Sequence, residues 1–176
     1  YPRMINMHDW DELSKGWAMQ VELLSVAEQL INDKPVLRQT MIYLEPPGGR
    51  GQALHQDQQY ITIDPLIGVW IALDPVTTEN GCMRVLDGGH HEGPQIHFNR
   101  RDWQICDSDV EKLHSAEHAV IAVPLSPGGC LFFSGLLPHG TPHNDSDRMR
   151  RALQFHYRSV GVSSTTTDER LAVFGS

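Results

Sequence analysis

A chain of 176 residues, 40% hydrophobic and 20% charged, has the length of one domain with a real core and the composition of a soluble globular protein. No apolar run approaches the roughly 18 residues of a membrane span, so no membrane partner is expected. With 14 lysines and arginines against 22 aspartates and glutamates the net charge is −8, the wrong sign for a phosphate-neutralising surface, and nucleic acid is not expected as a partner either.

In chain order, Trp10, Leu13, Trp17, Val21, Leu24 and Ile31 recur near helical spacing and predict an amphipathic helix from Asp9 to Ile31. Asn32-Asp33-Lys34-Pro35 ends it, because proline disfavours a helical residue before it and lacks a donor. The pattern then turns to β. Candidate strands are Val36–Leu44, Ala53–Ile63, Leu66–Leu73, Cys82–Leu86, Ala119–Val123, Cys130–Phe133 and Met149–Ser159. Turns at Pro46-Pro47-Gly48-Gly49, Asp64-Pro65, Asn80-Gly81, Asp87-Gly88-Gly89 and Ser126-Pro127-Gly128-Gly129 divide them. Many short strands between such turns imply a mainly β fold, a sandwich or double-sheet jelly roll, with the N-terminal helix packed outside. Gly93 to His118 shows little pattern and is longer than an ordinary connection, so a mobile loop near the site mouth is expected there. One domain is expected over residues 1–176, helical over 1–35, a jelly-roll core over 36–160 and a tail over 161–176. Cys82, Cys106 and Cys130 are widely spaced and form no C-x-x-C pair, which points to a reducing cytoplasm rather than a disulfide framework.

The chemistry is concentrated in His55-Gln56-Asp57, followed 84 residues later by His139 and a further 11 later by Arg150. On a strand His55 and Asp57 would share a face, about 7 Å apart along the backbone, so one ion could meet both. Two histidines and a carboxylate are the ligands of the facial triad of non-haem iron(II) oxygenases, which leaves positions open for co-substrate and O₂. His143 is a local rival to His139, while His90, His91 and His156 are further imidazoles with an ordinary hydrogen-bonded role as the alternative. Arg150 and Arg151 are adjacent, so only one can face a cavity. Arg150 alternates with Ala152, Gln154 and His156, and Arg151 with Met149, Leu153, Phe155 and Tyr157. Periodicity alone makes the first face solvent and the second core.

These residues in this context resemble the phytanoyl-CoA dioxygenase family of Fe(II)- and 2-oxoglutarate-dependent oxygenases. The matching stretches are Leu54-His55-Gln56-Asp57 with Tyr60, Val69-Trp70-Ile71-Ala72-Leu73, Glu79-Asn80-Gly81-Cys82-Met83 with Gly88-Gly89-His90, and Pro138-His139-Gly140-Thr141 through Asn144 to Arg150-Arg151-Ala152-Leu153. The resemblance implies a double-stranded β-helix of cupin-like form. It implies iron held by His55, Asp57 and His139, and 2-oxoglutarate held at its far carboxylate by Arg150 rather than Arg151. Thr141, Trp70 and Tyr43 are candidate co-substrate contacts, and Gln39 and Gln56 candidate substrate contacts. His90 and His91 are expected to be structural. Asp57 argues for oxygenation, since related halogenases leave a small residue there. The expected reaction is hydroxylation of a small organic molecule with O₂, releasing succinate and CO₂. Such proteins usually carry more helical sequence upstream than the 54 residues before His55, so part of the natural N-terminus is expected to be missing.

Two readings from other classes compete. A cupin-like metalloprotein using a divalent ion as Lewis acid, an isomerase or hydrolase, needs no 2-oxoglutarate and no Arg150. A non-catalytic jelly-roll binding module needs no such ligand set. The primary substrate and the oligomeric state are not set by the sequence.

Overall fold

The computed structural model describes residues 3–61, 65–100, 103–115, 118–162 and 165–175. Its elements run β1 (Arg3–Ile5), a 3-10 turn (Met7–Asp9), α1 (Glu12–Ala18), α2 (Val21–Ile31), β2 (Pro35–Glu45), β3 (Gln52–His55), α3 (Gln58–Ile61), β4 (Leu66–Ala72) and β5 (Met83–Leu86). After a second 3-10 turn (Gly89–Glu92) come β6 (His97–Asn99), β7 (Trp103–Ile105), α4 (Asp107–Ser115), β8 (Val120–Val123), β9 (Cys130–Ser134), β10 (His139–Thr141), β11 (Arg150–Ser159) and α5 (Thr167–Phe174). The main sheet is ordered β1-β2-β11-β4-β9, the second β3-β10-β5-β8, and β6-β7 form a separate hairpin. All the pairings are antiparallel, and the fold is a double-sheet jelly roll. No helix among the described residues is long and apolar enough to cross a membrane.

The main sheet is covered on both faces. Ile67 and Val69 of β4 and Leu153, Phe155 and Tyr157 of β11 pack on Ala18, Ala27 and Ile31 of the helices. The opposite face carries Trp70, Ala72 and Ala152 against Met83 and Val85 of the second sheet. Each large apolar side chain in these layers contributes about 1.5–3 kcal/mol on leaving water. Double coverage explains why periodicity misreads β11. The face of Arg150, Ala152, Gln154 and His156 is not solvent but the interior between the sheets, and all four residues are buried.

Three other expectations are corrected, and the tail gains a helix. The single helix over Asp9–Ile31 is two, because Met19 and Gln20 leave helical geometry. Asp11 caps α1 by accepting from the Ser14 amide at 2.8 Å, and the left-handed Asn32 ends α2. The break resets the inward stripe to Leu23, Leu24, Ala27 and Ile31, and leaves Trp10 and Val21 each 70% exposed. The strand expected over Ala53–Ile63 stops at His55, and α3 follows; residues 62 and 63 lie outside the described ones. The segment from Gly93 to His118 is not an unpatterned loop. It folds into β6, β7 and α4, and buries Ile105 and Leu113 with Leu86, so the segment is a patterned wall; residues 101, 102, 116 and 117 lie outside the described ones. The tail over 161–176 holds α5, opened by a Thr166–Glu169 capping box and anchored by buried Phe174.

Candidate metal centre

The end of β3 and the start of β10 pair so that His55 lies directly opposite His139. Their rings are 4.3 Å apart between centroids, and Phe133 packs on the far side of His139 at 4.7 Å. Gly140 permits this approach, since a Cβ there would stand 2.9 Å from the Gln52 carbonyl oxygen and 3.2 Å from backbone atoms of Ala53 and Leu54. Backbone cannot give way as a side chain can. Gly140→Ala is therefore expected to spread β3 from β10, to cost about 1–3 kcal/mol as an overpacking change, and to weaken metal binding. Thermal unfolding and metal titration check this, and wild-type values in both would refute it.

Asp57 follows the end of β3 rather than alternating along it, so the shared-face geometry expected from the sequence does not apply. The turn into α3 brings its Oδ1 to 3.4 Å from His55 Nε2 and 3.7 Å from His139 Nε2. All three ligand atoms lie within 4.8 Å of one another, and the three residues are buried. Nitrogen and oxygen ligands about 2.1 Å from one ion at right angles would stand about 3 Å apart, so the group is slightly open but fits a metal. The imidazoles are set for that task. Each donates its Nδ1–H to a backbone carbonyl, His55 to Ala53 and His139 to Leu137, both at 2.8 Å, which leaves each Nε2 lone pair facing Asp57. Burial drops the His139 imidazolium to about 4, and so keeps the ring neutral as a ligand must be. Burial alone would raise the Asp57 carboxyl, but His139 and then His156 outweigh it and hold it well below the usual carboxylate range.

The outer oxygen of Asp57 is tied down by residues the sequence reading did not assign to the site. Gln154 Nε2 and His156 Nε2 both reach Oδ2 at 2.8 Å, orienting Oδ1 toward the histidines. Such partners of a ligand are worth about 10–100-fold in metal affinity. His156→Ala is expected to lower affinity within that range and His156→Gln, which keeps a donor, to recover part of it, as read by metal titration. Equal loss in both variants would mean packing rather than hydrogen bonding.

Arg150 lies 1% exposed in a narrow slot beside the metal group, shared with Tyr43, Trp70 and Thr141. Its guanidinium sits 5.7 Å over the Trp70 ring, and its Nη2 is 3.8 Å from Glu45 Oε2, beyond hydrogen-bond reach. Its Nε and Nη2 have no hydrogen-bond partner although both are buried. Leaving such donors unpaired is costly, so the slot is built for a missing acceptor, and the planar fork suits a carboxylate. The donor set and the guanidinium together fit iron with a 2-oxo acid. Gln52 also projects into the slot, its Nε2 3.1 Å from His55 Nε2, and metal would displace that amide. Arg151 points outward, exposed and paired with Asp74 at 2.7 Å.

The remaining candidates divide. Thr141 Oγ1 accepts from the Gln52 amide at 3.0 Å at the slot's edge. Gln39 lines a second cavity of about 130 Å³ next to Asp57, His156 and Tyr60. Gln56 is turned away from both, which corrects its expected substrate contact. Its Nε2 donates to Gly93 O and Leu136 O and its Oε1 accepts from Gln95 N, so its amide is spent on holding the wall segment. His97 completes that clamp by accepting from Gln56 N at 3.1 Å, with burial keeping its imidazolium down at about 4. His143 is exposed and bound to Asp145, and His90 and His91 lie in the 3-10 turn after β5.

A family model described as Phytanoyl-CoA dioxygenase (PhyH) matches residues 6–152. A Phytanoyl-CoA dioxygenase of Arabidopsis thaliana is 29% identical over 153 residues, 85% of this chain and 54% of that protein. A Methylphosphonate hydroxylase of Gimesia maris is 31% identical over 142 residues, 80% of this chain and 52% of that protein. The chain thus spans about half the length of these relatives. Among solved structures, the epimerase SnoN in complex with Fe3+, alpha ketoglutarate and nogalamycin RO superposes with a TM-score of 0.82 at 19% identity, over 94% of this chain and 66% of that one. EctD from S. alaskensis with 2-oxoglutarate and 5-hydroxyectoine gives 0.76 at 20% identity, over 90% and 56%. At that identity the likeness establishes the fold.

Proposed function

The chain belongs to the phytanoyl-CoA dioxygenase family, and from that membership we propose that it is an Fe(II)- and 2-oxoglutarate-dependent oxygenase that hydroxylates a small organic molecule. One observation carries the reading: the two histidines of a buried two-histidine, one-carboxylate group line the same slot as a guanidinium whose Nε and Nη2 lack partners, with the carboxylate facing them from the adjoining cavity. His55 and His139 hold iron through Nε2 and Asp57 through Oδ1. Arg150 takes the 5-carboxylate of 2-oxoglutarate, with Thr141 at the slot edge and Trp70 and Tyr43 as walls. When bound, iron and 2-oxoglutarate supply the oxidising chemistry, in which O₂ is consumed, succinate and CO₂ leave, and oxygen is inserted into a substrate C–H bond.

The chain's own residues position and exclude. Gln154 and His156 fix Asp57 in one orientation, and the carbonyls of Ala53 and Leu137 fix the two rings. Burial of all three ligands keeps water from the reacting centre. Gln39, across the second cavity, is where a substrate contacts β2. Three unpaired cysteines suit the reducing cytoplasm we assign to the protein. A Lewis-acid metalloprotein would use the same triad, but it gives the buried Nε and Nη2 of Arg150 no hydrogen-bond acceptor. The relatives named for phytanoyl-CoA and methylphosphonate extend to this chain only a small-molecule substrate. The test is succinate formation with Fe(II), 2-oxoglutarate and O₂ over a compound collection. Output that rises with particular compounds supports the oxygenase, and metal-dependent turnover of a compound without 2-oxoglutarate supports the Lewis-acid reading.

A further inference from the structure

The short strand β3 does not alternate regularly. His55 pairs with His139 and Gln52 with Thr141, so Ala53 and Leu54 stand opposite Gly140 alone, two residues against one. Such a bulge re-aims the side chain beyond it. In an unbroken strand residues three apart point to opposite faces. Here Gln52 is turned to the side of His55, while Leu54 packs into the wall with Leu86, Ile105 and Leu113. The Gln52 Nε2 donates to His55 Nε2 at 3.1 Å, the nitrogen whose lone pair a metal would take. That separation is close to the roughly 3 Å expected between neighbouring ligands of one ion, so amide and ion compete for the same lone pair. Gln52 is half-buried and forms a wall of the Arg150 slot, of the cavity beside Asp57 and of a further cavity of about 470 Å³. A displaced amide therefore has room to turn.

We propose that Gln52 exchanges partners when the metal binds: its amide caps His55 Nε2 in the metal-free chain and, once displaced, donates to the carboxylate of 2-oxoglutarate nearest the metal ligands. The co-substrate contact rests on the oxygenase reading, and the contact with His55 does not. The cap is possible because the Nδ1–H of His55 is already given to Ala53 O, which leaves Nε2 an acceptor until an ion arrives. Gln52 and Arg150 line the same slot. Arg150 takes the 5-carboxylate, and Gln52, in contact with a ligand histidine, meets the carboxylate at the metal end. An amide suits that end, because it hydrogen-bonds a carboxylate without adding positive charge beside the ion. Strand pairing depends on neither contact. The backbone N–H of Gln52 donates to Thr141 Oγ1 at 3.0 Å, whatever the side chain does.

The test compares the wild type with Gln52→Ala and with Gln52→Leu, which keeps the bulk and loses the amide. Anaerobic calorimetry of the metal-free chain with Fe(II) is expected to show both variants binding iron about two- to tenfold more tightly, because a neutral hydrogen bond no longer competes. Titration of the iron-loaded variants with 2-oxoglutarate is expected to show binding at least about tenfold weaker than in the wild type, because a bond to a charged acceptor is lost. Shifts of opposite sign in one variant separate exchange from packing, which would move both affinities the same way. Both variants should unfold near the wild-type temperature, since the backbone bond to Thr141 remains. Wild-type or weaker iron binding in both variants overturns the proposal. So does a gain in Gln52→Ala alone, which would trace to bulk. An unchanged 2-oxoglutarate titration overturns the second contact. Failure of the oxygenase reading is separable, because it shows as absent 2-oxoglutarate binding to the iron-loaded wild type. That result removes the co-substrate contact, while the iron titration still decides the cap on His55.

Discussion

Replacing His139 with alanine is expected to abolish turnover and to reduce iron affinity by more than the roughly 10–100-fold that the outer partners of a ligand are worth. His139 donates Nδ1–H to Leu137 O and directs Nε2 to within 3.7 Å of Asp57 Oδ1, so the substitution removes one of three ligand atoms and leaves an ion with two. The fold should persist, since the ring packs on Phe133 at one edge of the inter-sheet core while Trp70, Met83 and Val85 hold that layer. Equilibrium titration with Fe(II) under argon measures the effect, with His143→Ala as the control. His143 is exposed and, among the described residues, hydrogen-bonded to Asp145 at the surface, so its loss should change nothing. Near-normal activity in His139→Ala, with loss in His143→Ala, would reverse the assignment.

Arg150→Ala is expected to raise the 2-oxoglutarate requirement by roughly 30-fold to several thousand-fold while leaving iron affinity nearly unchanged. Removing one partner of a buried charge-assisted contact costs about 2–5 kcal/mol, and each 1.4 kcal/mol is tenfold. A second consequence separates binding from folding. Arg150 Nη2 is 3.8 Å from Glu45 Oε2, and both side chains are almost wholly buried, so the alanine variant strands a carboxylate inside the protein. Uncompensated buried charges of this kind cost about 3–5 kcal/mol. Adding Glu45→Gln should restore much of the thermal stability and none of the 2-oxoglutarate affinity. Recovery of both together would mean that Arg150 serves the fold and not the co-substrate. Arg151→Ala, which breaks an exposed pair with Asp74, should cost at most about 1 kcal/mol of stability and leave the co-substrate requirement alone.

What the sequence made legible follows from which signals are local. Apolar pattern and Gly/Pro turns together placed most of the expected strands to within a residue or two, as at β2, β4, β8 and β11, while β1, β6, β7 and β10 were not expected. His55, Asp57, His139 and Arg150 stood out because chemistry restricts their residue types and their order is that of a family. The strands of β6 and β7 are three residues each, too short to show a period, which is why the wall segment read as a loop. The break between α1 and α2 carries no proline, and its apolar stripe continues through it on paper. The helpers of Asp57 were hidden differently. Gln154 and His156 are 97 and 99 residues away in sequence, and only the pairing of β11 between β2 and β4 brings them under the carboxylate. Their signal was present all the same, as polar residues alternating with Arg150 on one strand face. Gln52 and Glu45 gave no signal, since an amide or carboxylate near a turn is ordinary.

The most direct measurement is an anaerobic titration of the iron-loaded chain with 2-oxoglutarate, followed by the visible charge-transfer absorption that arises when a 2-oxo acid chelates Fe(II). One iron per chain is expected to bind, the band to appear on adding 2-oxoglutarate, Asp57→Ala to lose both, and Arg150→Ala to shift the titration to much higher 2-oxoglutarate. Iron bound at His55, Asp57 and His139 with no band at any 2-oxoglutarate concentration would contradict the oxygenase assignment and leave a Lewis-acid metal site in its place.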